Sequence, residues 1–146
     1  MLQRIQSIYL FLAAIASALT IFLPLARFCD GRKIAMLYSY PSDISSPLIY
    51  SLLIFSIFAV VIAFIAIFGY KNRKRQMKWC NSLIMASVFF YICYAFICYK
   101  VVSGGSFTYR PTIWVALPFI SIILAYLGKR GIKHDEEKVR AADRIR

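Results

Sequence analysis

Long stretches without a single Asp, Glu, Lys or Arg occur four times in this chain, at about residues 5–25, 47–69, 79–99 and 112–128. A helix of about 20 apolar residues crosses the ~30 Å hydrocarbon layer of a membrane, so each stretch is a candidate span. Hydrocarbon offers no hydrogen-bond partners, and the stretches lack the period-two alternation of barrel strands, so each is predicted to be an α-helix. The surface of one small domain could not hide a chain that is 61% hydrophobic and only 16% charged, which excludes both a water-soluble globule and a disordered segment. The expected fold class is an all-α membrane protein with four transmembrane helices in an antiparallel bundle. The fourth stretch is the shortest, and Pro118 within it is expected to kink the helix.

Charge sets the expected orientation. Thirteen of the 18 Lys and Arg residues fall at one boundary: Arg4, five in the connection at residues 70–78, and seven after Gly128. Arg27, Arg32, Lys33, Lys100 and Arg110 fall at the other. Cationic segments resist translocation, which places both termini and the middle connection in the cytoplasm. Tyr70, Trp79 and Tyr126 then mark the inner interface, and Tyr50, Tyr99, Tyr109 and Trp114 the outer one. This asymmetry accounts for the net charge of +12 without nucleic-acid binding, which is disfavoured as a role. Residues 1–128 form the transmembrane domain, and residues 129–146 a charged cytoplasmic tail with a short helix. The apolar run after Arg4 continues to Leu25, too long for a cleaved signal. Phe28 stands where a lipoprotein anchor at Cys29 would need a small residue.

The connections differ. Residues 100–111 are few enough to make the third and fourth helices adjacent, with Ser103-Gly104-Gly105-Ser106 read as a turn. The first connection carries Asp30-Gly31 between apolar stretches, a pattern that fits either a small extracytoplasmic hairpin or an irregular interfacial loop. Inside the membrane, helices associate through small residues that permit close contact. Ala14 and Ala18, then Ser56, Ala59, Ala63 and Ala66, Ser82 and Ala86, and Ser121, Ala125 and Gly128 are the predicted contact faces.

Catalysis, metal binding or proton relay within a bilayer needs ionisable groups, and the four stretches hold none beyond Tyr and Cys. No catalytic residue, metal site or cofactor is expected. The one histidine, His134, lies in the tail beside Asp135 and Glu136, a weak metal signal. The four cysteines form no CxxC pair, and Cys93 and Cys98 fit apolar packing. Cys29 and Cys98 both approach the outer surface, where a disulfide could join them. In the tail, Lys133 with Glu137 and Glu136 with Arg140 are spaced for helical ion pairs, beside a thin apolar stripe.

Three motifs carry a resemblance: the opening Met1-Leu2-Gln3-Arg4-Ile5-Gln6-Ser7, the loop Asn72-Arg73-Lys74-Arg75-Gln76, and the closing segment from Asp135 to Arg146. Together they make the chain resemble the bacterial family known as domain of unknown function 4293, with Ala141 standing where Ser is more usual. The resemblance covers the whole length. It implies a four-span inner-membrane protein of Gram-negative bacteria and brings no established activity, cofactor or catalytic residue.

Under the charge-based topology those motifs meet at the cytoplasmic boundary. Gln3, Arg4, Gln6, Asn72, Arg73, Gln76, Asp135, Glu136, Arg140, Asp143 and Arg144 are the candidate cluster, with Asp143 or Glu136 neutralising Arg4 or Arg73. It could latch the tail beneath the bundle or dock a partner. The expected partners are the bilayer, anionic lipid headgroups at the inner face, and a membrane or cytoplasmic protein or a second copy of the chain. The leading functional expectation is a non-enzymatic accessory or scaffold subunit. A small-solute transporter or channel component, around Pro118, and a thiol-redox protein, on Cys29, Cys93 and Cys98, are the alternatives.

Overall fold

A computed structural model describes residues 2–30, 33–41, 47–104 and 108–143. Helix α1 (Leu2–Phe22) leads to strands β1 (Ala26–Asp30) and β2 (Lys33–Leu37), then to α2 (Ile49–Phe68). A single 3-10 turn, Gly69–Lys71, joins α2 to α3 (Arg73–Ser103). Strand β3 (Thr108–Pro111) and a 3-10 turn (Ile113–Ala116) precede α4 (Leu117–Asp143). Each helix packs on two neighbours: α1 on α2 and α4, and α3 on α2 and α4.

Three of the helices, at Ile49–Phe68, Arg73–Ser103 and Ile113–Val139, are long and apolar enough to cross a membrane; α1 adds the apolar stretch Gln6–Phe22. Only 28–33% of the apolar windows in those three is buried within the protein. Large apolar side chains, including Ile54, Phe58, Phe89, Ile92 and Phe119, are exposed and point outward, which suits a surrounding hydrocarbon solvent.

The interior is layered. Ala13, Ala14, Ala59, Ile62, Ala63, Leu83, Ala86 and Ala125 form the middle layer, where side chains this small let the backbones approach. Of the predicted contact residues, Ala14, Ser56, Ala59, Ala63, Ala66, Ala86, Ser121 and Ala125 are buried, whereas Ala18 and Ser82 are half-buried. Ala13, Ser17 and Ser87 are buried as well. Toward the end that carries Arg73, α4 packs closely on α1: a Cβ on Gly128 would lie 3.4 Å from the Leu10 side chain, and one on Gly131 only 3.0 Å from Gln6 Cγ.

The opposite end is closed by a three-stranded antiparallel sheet of order β2-β1-β3. The β1–β2 hairpin pairs Ala26 with Leu37 and Phe28 with Ala35; its tip, Gly31-Arg32, lies outside the described residues. Alternation along β1 sends Ala26 and Phe28 inward. There they join Leu25, Leu37, Ile49, Leu52, Phe90, Tyr94 and Ile97 in the largest apolar cluster. The third connection is therefore more than a turn, because Thr108–Pro111 adds the second edge strand, with Phe28 opposite Tyr109.

Three boundaries differ from the sequence expectations. The connection between α2 and α3 shrinks to residues 69–72, because the Asn72 side chain accepts the Arg75 backbone N–H at 3.2 Å and caps α3. Behind that cap, Arg73 to Lys78 are good helix formers rather than loop. Pro118, expected within the fourth helix, instead sits in the first turn of α4, where a missing N–H breaks no helical bond. The helix predicted in the tail is the continuation of α4, which runs unbroken through residue 128 to Asp143.

Candidate functional site: the polar end of the bundle

At the end far from the sheet, α1, α3 and α4 bring polar side chains into the interior. Gln6 (8% exposed), Gln76 (4%) and Asp135 (9%) are all buried. Gln6 Nε2 donates to Asp135 Oδ2, joining α1 to α4. Arg73 donates from its guanidinium to the main-chain carbonyl of Asp135 at 2.9 Å, joining α3 to α4. Gln76 Nε2 donates to the carbonyl of Ala66 at 2.9 Å, tying α3 to the last turns of α2. Lys129 Nζ reaches Asn81 Oδ1 at 2.7 Å on the exposed rim. The apolar floor beneath is Leu10, Ala66, Cys80 and Ile132.

The Gln6–Asp135 bond serves a group that burial would otherwise strand. A buried carboxylate without a donor is costly, and Gln6 supplies the donor. Gln6 can face Asp135 because Gly131, one turn before the acid on α4, leaves room for the Gln6 stem.

Among the other residues singled out from sequence, Asn72 is spent on the α3 cap, and Glu136 is half-buried on α4. The side chains of Gln3, Arg4, Arg140 and Asp143, and the whole of Arg144, lie outside the described residues. In the tail, Lys133 and Glu137 form an exposed ion pair at 3.8 Å. Around this end Lys74, Arg75, Lys78, Arg130 and Lys138 are exposed as well. Two grooves flank the Gln6–Asp135 bond. One, of about 600 Å³, runs between α1 and the α2–α3 turn and is lined by Gln6, Ile8, Phe68 and Arg73 among others. The other, of about 560 Å³, lies between α1 and α4 and includes Tyr9, Arg130, His134 and Glu137.

All four cysteines carry free thiols, so Cys29 and Cys98 are not joined. The strand explains why: with Phe28 inward, Cys29 shares the outer face of the sheet with exposed Arg27, whereas Cys98 packs against the apolar cluster beneath it. Among the described residues no group of three or more His, Cys, Asp or Glu side chains could hold a metal.

Sequence reasoning missed a second polar set within the bundle. Tyr91 of α3 donates to the Val115 carbonyl at 2.6 Å and accepts the Phe119 N–H at 3.1 Å, so its hydroxyl organises the start of α4. The Tyr94 hydroxyl meets that of Tyr109 at 2.9 Å and anchors β3. Ser17 and Ser121 are hydrogen-bonded at 2.9 Å across α1 and α4. A cavity of about 10 Å³ lies beside Ser17, Thr20, Ser56, Ser87 and Pro118; Ser56 Oγ is buried there without a partner. The available signal was the position of Tyr91 and Tyr94 in mid-span rather than at an interface.

Apolar helices of spanning length with about a third of their windows buried, sealed by a sheet at one end and by polar bonds at the other, define a multi-pass helical membrane protein. The chain belongs to the family described as Domain of unknown function (DUF4293), whose model matches residues 2–145. No curated protein matches it.

Proposed function

We propose that this protein is a four-span scaffold of the bacterial inner membrane, without catalysis of its own, that presents its polar end to the cytoplasm as a docking platform. The observation that carries this reading is the bond from Gln6 to the buried Asp135, with Arg73 on the Asp135 carbonyl. It ties three helices into a fixed base from which exposed Lys74, Arg75 and Lys78 project. A fixed array of cations complements an acidic protein surface. The crossing by α1 as the fourth span is supported by its packing on both α2 and α4 and by outward-facing Ile8, Phe11, Ile15 and Leu19. The cytoplasmic orientation of this end rests on the excess of Lys and Arg there. A transporter reading would require the 10 Å³ cavity, large enough for about one water, to widen greatly.

Affinity capture from gently solubilised membranes tests the proposal. A stoichiometric partner is expected to be recovered with the wild-type chain and reduced at least tenfold when Lys74, Arg75 and Lys78 are all replaced by Glu. Repeated recovery of the protein alone would overturn it.

A further inference from the structure

We propose that the groove between α1 and the α2–α3 turn is a binding site for one anionic glycerophospholipid, whose phosphodiester is held by Arg73 and whose chains lie along Ile8 and Phe68. The inference rests on the membrane-spanning part of the reading above and is independent of any protein partner.

Depth is the first argument. At 1.5 Å per residue the 20 residues of α2 measure about 30 Å, the thickness of the hydrocarbon core. Its last residue, Phe68, therefore marks the boundary at which lipid phosphates begin. The groove opens at that level. Phe68, 75% exposed, and Ile8, 54% exposed, form its apolar wall. Tyr70, an amphipathic ring suited to the headgroup region, stands on its rim.

Charge is the second. Arg73 is half-buried in the groove wall, and its bond to the Asp135 carbonyl fixes the guanidinium in place. An arginine has five N–H donors in a planar fork that matches phosphate oxygens, so donors remain after that bond. Gln6 and Gln76 add amides to the same wall. Asp135, whose carboxylate would repel an anion, does not line the groove and is bonded to Gln6. No acidic residue lines this groove among those described. The groove on the other side of α1 contrasts with it: Glu137 lines that wall and already pairs with Lys133.

The test uses the purified full chain, delipidated in neutral detergent, with binding read by native mass spectrometry and by thermal unfolding. Dioleoyl phosphatidylglycerol is expected to bind one per chain, at least tenfold more tightly than dioleoyl phosphatidylcholine, and to raise the unfolding temperature. Arg73→Gln should abolish that preference. Because this substitution also removes the bond to α4, Ile8→Trp provides a second variant that fills the groove without touching a polar contact, and it should weaken binding at least threefold. Arg75→Gln, exposed on the same helical turn, should change binding less than twofold. Equal binding of the two lipids, an unchanged preference in Arg73→Gln, or an unchanged affinity in Ile8→Trp would each overturn the site. Inorganic phosphate that stabilises the chain as well as the lipid does would overturn the lipid as its occupant. Membrane insertion, followed by resistance to alkaline extraction, reports separately on the spanning reading.

Discussion

The two ends of the bundle are closed by opposite means. At the sheet end, Leu25, Phe28 and Leu37 are almost fully buried and pack on α2 and α3 through apolar contact, which is non-directional and spread over many atoms. At the Arg73 end, closure depends on a few directional bonds among Gln6, Asp135, Arg73 and Gln76, with grooves left open on either side. One end is built to stay shut. The other keeps donors and charges at the surface, which is where recognition of another molecule needs them.

The comparison predicts that the sheet end carries more of the stability. Phe28 is the largest fully buried side chain there, and its ring also meets that of Tyr109 at 5.8 Å. Phe28→Ala leaves a cavity bounded by two layers and should cost about 3–5 kcal/mol, measured as a shift in reversible unfolding in mixed micelles. A loss below that of any polar-end variant would reverse the ranking of the two ends.

The polar end should respond less in magnitude and differently in kind. Gln6→Leu removes the donor to Asp135 Oδ2 and leaves a buried carboxylate under-satisfied, at a cost of about 1.5–3 kcal/mol. Adding Asp135→Leu to Gln6→Leu should recover part of that loss, since replacing both partners by apolar groups removes the stranded charge. A double-mutant cycle with no coupling would show that the bond contributes nothing to closure and would leave the scaffold reading without its base.

How far the fold could be read from the chain depends on which forces act locally. The apolar runs that become α2 and α3 are legible because a membrane span needs only length and composition. Strand β3 was not, because Thr108–Pro111 finds its partner in β1, far away in sequence, and four residues carry no periodic signal of their own. The start of α3 is masked in the sequence because charge in residues 73–78 reads as a loop, whereas the Asn72 cap and the residue propensities continue the helix. That Gln6, Arg73 and Asp135 lie at or just beyond the ends of the apolar runs is legible in the chain. Their partners are not, since facing Gln6 toward Asp135 depends on the rotation of α1 against α4, and that is set by contacts such as the one at Gly131.

Between the ends lies a middle that follows neither rule, and the smallest predicted effects fall there. Ser17 bonds to Ser121 at 2.9 Å, while Ser56 Oγ is buried without a partner, although both line the same small cavity. Hydrogen bonds between membrane helices contribute about 0.6 kcal/mol on average, because the separated helices also find partners. Ser17→Ala should therefore cost about 0.6 kcal/mol, whereas Ser56→Ala, which removes a desolvated hydroxyl and loses no bond, should be neutral or stabilising by up to about 1 kcal/mol. Unfolding in mixed micelles resolves the sign. If Ser56→Ala were the more damaging of the two, the hydroxyl would be satisfied by something in the cavity, and the middle of the bundle would join the polar end as a region whose packing is set by directional bonds.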